Sequence, residues 1–243
     1  VSSAFMSWTS EARARLDAGD LDGFAEVLDA HYEAFSPPQA ELVPELVVLL
    51  QHVLRKVEAG AFAGQEAHPL FTSWLLVERL VKNGHALPAE LDAGRLSRLA
   101  ELSAQVGDDA DAPTHGRGLV LLAFPEDDRV LDELLKAGAA TGGYFAEDAL
   151  LAPAARCADP DRRALFVALH LLGAYTQTVR YRDADKALAD LLAYHGGFKR
   201  QAPALSVRHF RDAESRLKAL GLPWNHLREA DRAALEAALP DPQ

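Results

Sequence analysis

One cysteine, Cys157, stands among 243 residues. That scarcity excludes an internal disulfide framework and any zinc site built from several cysteines. A reducing cytoplasm is the compartment it suggests. Long apolar runs are missing too. The most apolar stretch, ALFVALHLLGAY (164–175), contains His170 and is too short to span a bilayer. The opening VSSAFMSWTS lacks the charged start and continuous apolar run of a signal peptide. No membrane association is expected. Strand signals are scarce as well: no period-2 run of β-branched and aromatic residues is bounded by turns.

Positive charge is also in short supply. The 25 Lys and Arg face 36 Asp and Glu, a net charge of −11. A field of that sign opposes nonspecific attraction to nucleic acid or to an anionic membrane. Apolar residues nevertheless make up 49% of the chain, enough for a large packed core and too many for a disordered segment.

What remains is helix signal along nearly the whole chain. In VLDELLKAGA (130–139), Val130, Leu131, Leu134 and Leu135 share one helix face. The acids of PEDD just before it suit a helix N-terminus, and Gly138 reads as its stop. ADPDRRALFVALHLLGA (158–174) places Asp159 at the cap and Pro160 at the first helical position, with Gly173 as its far end. PPQAELVPELVVLLQHVLRKVEAGA (37–61) ends on Gly60, and Pro44 either bends it or marks its true start. Segments 9–16, 68–84, 91–107 and 204–221 read as further helices. Helices closing on glycine recur at Gly60, Gly84, Gly107, Gly138, Gly173 and Gly196, without the fixed period of a strict repeat. The expectation is an all-α fold of about eleven or twelve helices: stacked antiparallel helical hairpins, as an irregular α-solenoid or helical bundle. It forms a single domain over 1–243, with a candidate subdomain boundary in the polar loop GDDADAPTHGRG (107–118). LPDPQ at the end of the sequence reads as frayed.

Within this pattern, APTHGRGLVLLAFPEDDRVLDELLKAGA and EDALLAPAARCADPDRRALFVALHLLGA follow one plan. Each has a short apolar helix, a tight acidic turn, and a second helix closing on Gly-Ala. Residues 112–174 resemble two degenerate ankyrin-type repeats, with PTHG in place of the family's Thr-Pro-Leu-His opening. The resemblance implies stacked helix pairs and a surface that binds other proteins. Stacking is also what the physics requires, because one helix pair cannot bury its apolar side alone.

Clusters that carry chemistry are sparse. Nine histidines occur without an H-x-x-x-H or H-E-x-x-H spacing, so no metal is expected. His52 and His170 lie inside apolar helices and read as core-edge residues with a local partner. Cys157 follows a helix C-terminus, the wrong end for activating a thiol, and reads as a small buried apolar residue. GDDADAP lacks the glycine and terminal glutamate of a calcium loop. The glycine pairs in TGGYF and HGGF do not sit between a strand and a helix, as a nucleotide site requires. No cofactor is expected.

One region differs from the rest. Residues 179–218 hold nine Lys or Arg against five Asp or Glu, a local balance of +4, so the remainder carries −15. Arg180 and Arg182 flank Tyr181, Lys199 and Arg200 follow HGGF, and SVRHFRDAESRLKALG adds Arg208, His209 and Arg211. Arginine among aromatics suits an anion-facing surface. Part of the charge can be neutralised along the helix, since Arg208–Asp212, Asp212–Arg216 and Glu214–Lys218 are i, i+4 neighbours. The leading expectation is a non-enzymatic protein-binding module that recognises another protein through its helical surface. Nucleic acid bound at 180–211 is the alternative, disfavoured by net charge. An all-α enzyme with a site assembled from distant helices is a third.

Overall fold

The computed structural model describes residues 7–106, 112–140, 147–198, 200–222 and 227–243. Among these the chain is all-helical, with twelve α-helices and no strand. It divides into two compact units, residues 1–107 and 108–243.

The first unit contains α1 (Trp8–Asp17), α2 (Leu21–Ala30), a 3₁₀ turn at Tyr32–Ala34, α3 (Val43–Glu58), α4 (Ala67–Lys82) and α5 (Ala93–Val106). Pro44 falls in the first turn of α3, where its missing N–H costs no helix bond, so it marks the start and does not bend the helix. Helix α1 packs on α2 and α3, and α4 packs on α2, α3 and α5. Leu16, Phe24, Leu28, Leu46, Leu49, Leu76 and Leu80 are buried. Gly60 and Gly84 do close helices. Each has a φ near the left-handed value, 73° and 76°, and the residue after each donates its N–H back into the last turn, Ala61 to Lys56 and His85 to Leu80.

The second unit runs α6 (Ala112–Ala123), α7 (Asp128–Ala140), α8 (Glu147–Arg156), α9 (Pro160–Tyr181), a 3₁₀ turn at Ala184–Lys186, α10 (Ala187–Phe198), α11 (Val207–Ala219) and α12 (Glu229–Ala238). The two expected helix pairs are present: α6 packs on α7, α8 packs on α9, and the first helices, α6 and α8, pack on each other. Val130, Leu131, Leu134 and Leu135 form the buried face of α7, as their spacing predicts. Asp127 Oδ1 accepts the N–H groups of Arg129 and Val130 and caps that helix. Asp159 caps α9 by accepting from Asp161 N–H at 3.0 Å.

Several boundaries differ from the sequence reading. Gly138, Gly173 and Gly196 lie inside α7, α9 and α10 and stop none of them. Gly138 and Gly173 are buried, so these positions answer to packing. Residues 112–118 are not loop but the first turns of α6. Gly107, the acidic run at 107–111 and the glycine pair of TGGYF lie outside the described residues. No described helix is long and apolar enough to cross a membrane.

Candidate functional site

Helix α9 positions the first part of the region that the sequence marks as anion-facing. Its 22 residues span about 33 Å at 1.5 Å per residue. Arg180, Tyr181 and Arg182 are exposed at its C-terminal end. The helix ends because Arg182 leaves helical geometry (φ −131°, ψ −111°), and Asp183 then caps the following 3₁₀ turn. Tyr181 is 67% exposed, the most open of the large apolar side chains among the described residues. Lys186 reaches Asp183 at 3.6 Å.

The other marked residues sit elsewhere. Arg208, His209 and Arg211 open α11, which packs on α9. Arg208 and His209 meet α9 at Asp161, twenty residues and about 30 Å of helix away from Tyr181. The predicted region therefore occupies the two ends of α9 and does not form one patch. Arg200 is exposed beyond α10, and Lys199 lies outside the described residues.

The α11 end is a closed network. His209 is 2% exposed. Its Nε2 lies 2.9 Å from Asp161 Oδ1, and its Nδ1 accepts the backbone N–H of Ser206 at 3.1 Å. Asp161 can only accept, so the neutral ring carries its proton on Nε2. Arg208 also donates to Asp161, at 2.7 Å. His209 first, then Arg208, hold the Asp161 carboxyl below its ordinary range. Ser206, His209 and Asp161 have the composition of a nucleophilic triad but not its geometry. Ser206 Oγ is 3.4 Å from an Nδ1 whose lone pair already receives a backbone N–H, and it donates instead to Asp241 Oδ1 at 2.9 Å. A base occupied in this way cannot take the hydroxyl proton. The network caps a helix.

Asp241 completes that cap. It accepts the backbone N–H of Arg208 at 3.0 Å and Arg211 at 3.3 Å, while the Leu239 carbonyl accepts the N–H of Val207 at 2.8 Å. Burial raises the pKa of this carboxyl, but the donors from Ser206, Arg208 and Arg211 outweigh it and leave the value below the ordinary range. LPDPQ is thus bound through Leu239 and Asp241, not frayed. Charges of α11 also pair between elements. Arg216 donates to Asp132 at 2.8 Å, and Arg232 to Glu214 at 2.9 Å.

A second buried network joins α9 to α12. Tyr175, 2% exposed, donates its hydroxyl proton to Asp231 Oδ2 at 2.5 Å and accepts Arg228 N–H at 3.2 Å. Arg228 Nε donates to the same carboxylate oxygen at 2.8 Å. In the first unit, a cleft of about 300 Å³ opens between α1 and α3. Its carboxylate, Glu45, accepts from Thr9 at 2.7 Å. His52 pairs with Asp17 at 2.9 Å, as a core-edge histidine with a partner should. Among the described residues, no three His, Cys, Asp or Glu side chains are grouped to hold a metal ion.

Sequence reasoning missed Asp161, Ser206, Asp231 and Asp241. The serine three residues before His209 is a cap signal that was available. Asp161 and Asp241 meet their partners in α11 across dozens of residues, and Asp231 meets Tyr175 across 56, so those contacts leave no local trace. Comparison with protein-family models, curated proteins and solved structures finds no match.

Proposed function

We propose that this chain is a non-enzymatic protein-binding module that engages another protein through its helical surface, at the C-terminal end of α9. One observation carries the reading. Tyr181 remains 67% exposed between two exposed arginines, where the buried face of the same helix has taken Phe166, Leu169, Leu172 and Tyr175. Tyrosine and arginine are enriched among the residues that anchor protein interfaces: tyrosine buries a large area with only two side-chain torsions, and arginine brings a planar set of donors that pairs with acceptors on the partner. The stacking of α6/α7 on α8/α9 supports an ankyrin-like relation as part of the same proposal, since such stacks present a continuous surface.

The test is quantitative capture with the full chain as bait, comparing wild type with Tyr181→Ala and Arg182→Glu. The expected result is one partner retained at fixed stoichiometry by wild type and lost in both variants, with unchanged melting temperatures. Retention of the same partner by both variants overturns the assignment of this surface. A defined turnover activity with no partner overturns the function. Binding to oligonucleotides that weakens steeply with salt would transfer the surface to nucleic acid.

A further inference from the structure

Three donors at the start of α11 converge on one carboxylate. Ser206 Oγ and Arg208 N–H meet Asp241 Oδ1 at 2.9 and 3.0 Å, and Arg211 meets Oδ2 at 3.3 Å. Two residues earlier, Leu239 is buried and its carbonyl accepts Val207 N–H at 2.8 Å. A three-residue segment is thus held as a bound peptide is held: one backbone contact, one apolar anchor and one acid. Pro240, Pro242 and Gln243 are exposed.

We propose that residues 239–241 are a competitor built into the chain. They occupy a docking site for an acidic segment of another protein, with an apolar residue followed two positions later by Asp or Glu, and that segment binds when the strap leaves. The inference rests on the protein-binding reading above, but on a different surface.

The surrounding charges define the chemistry of the guest. Asp161 holds the guanidinium of Arg208 at 2.7 Å, so Arg208 contributes its backbone N–H. Arg211 supplies the positive side chain and is shared with Glu236 at 3.6 Å. One arginine, one hydroxyl and the positive end of a 13-residue helix match a single carboxylate. A doubly charged phosphate would face Asp161 and Glu236 as well, so the site favours the carboxylate of a peptide. Because the strap is part of the chain, it competes at a high effective concentration and lowers the apparent affinity for any guest.

A fluorescently labelled peptide of sequence AALPDPQ (residues 237–243) is titrated by anisotropy against the full-length protein. Its targets are wild type, Asp241→Asn, which removes the carboxylate, and Leu239→Ala, which weakens the strap at its anchor. Thermal melts establish that each variant is folded, and the second variant serves if the first is not. The expected result is binding at least about tenfold tighter to a strap variant than to wild type, in proportion to the freed site. Arg211→Glu added to the strap variant abolishes the gain, and a peptide with Asn for Asp does not bind. Equal binding by wild type and strap variants overturns the competitor while leaving a docking site. No binding to any folded variant overturns both the competitor and the site. Neither outcome touches the Tyr181 surface, which its own variants test.

Discussion

Gly118 of α6 lies so close to Ala149 of α8 that a Cβ added at 118 would stand 2.9 Å from the Ala149 Cα. Two helix backbones meet there, and no flexible side chain can yield. The contact is the joint between the two helix pairs. Gly118→Ala is therefore expected to destabilise the protein by about 1–3 kcal/mol, the usual cost of overpacking a close contact. Gly196 is the control. It is also helical, but a Cβ there would meet nothing within 4 Å. Gly196→Ala is expected to be neutral or to stabilise by up to about 1 kcal/mol through helix propensity. Urea unfolding of the two variants checks the contrast, and equal effects would refute the joint.

Cys157 is predicted to be chemically silent in the folded protein. It is 1% exposed and its thiol donates to the Pro153 carbonyl at 3.5 Å. Burial first, and the charge of Glu126 second, push the thiol up to about 11. Reaction needs the thiolate and access to it, and this site supplies neither near neutral pH. Thiol labelling at pH 8 should be negligible in buffer and complete in denaturant. Labelling of native protein at the rate of a free thiol would contradict the packing of α8.

These contacts show what local sequence could and could not reveal. The spacing of Val130, Leu131, Leu134 and Leu135 was legible because one helix face is a property of neighbours. So was the Asp159–Pro160 start of α9. Gly138 and Gly173 misled because a glycine tolerated inside a buried helix has the same letter as one that ends a helix. The marked cations were legible as residues but not as a site. Arg208 and Asp161 are 47 positions apart, and Arg216 and Asp132 are 84 apart, so only the packing of α11 decides which acids they meet.

Stability should fall at both extremes of pH, for two different reasons within the α9–α12 network. Burial raises the pKa of Asp231, but Arg228 and then Tyr175 outweigh it, so the folded value lies below the unfolded one. A depressed acid stabilises the fold above its unfolded pKa, and that contribution is lost as pH falls through the folded value, so the loss begins below about pH 4. Asp128, Asp161 and Asp241 shift the same way and steepen the acid limb. Tyr175 has the opposite sign. Burial raises its pKa, so its contribution is complete below the unfolded value of about 10 and declines as pH rises beyond it. Tyr175→Phe should remove that alkaline component and spare the other acids. Denaturant midpoints of wild type and Tyr175→Phe between pH 3 and 11 test this, and identical alkaline limbs would refute it.

Arg162 and Asp128 form one ion pair whose two halves should differ sharply in cost. The Arg162 side chain is 13% exposed, lies over the Phe166 ring at 5.1 Å, and donates to the Pro125 carbonyl at 2.8 Å as well as to Asp128 at 2.7 Å. Asp128 is 66% exposed and is also reached by Arg216 at 3.3 Å. Removing the carboxylate forfeits a screened surface pair, expected to cost at most about 1 kcal/mol. Removing the arginine also strips its packed stem and leaves a carbonyl without its donor, expected to cost about 2–3 kcal/mol. Unfolding of Arg162→Ala, Asp128→Asn and the double variant separates the two contributions, because the coupling reports the pair alone. If Asp128→Asn proved as costly as Arg162→Ala, the charge pair and not the buried stem would be what joins the α7 and α9 N-termini.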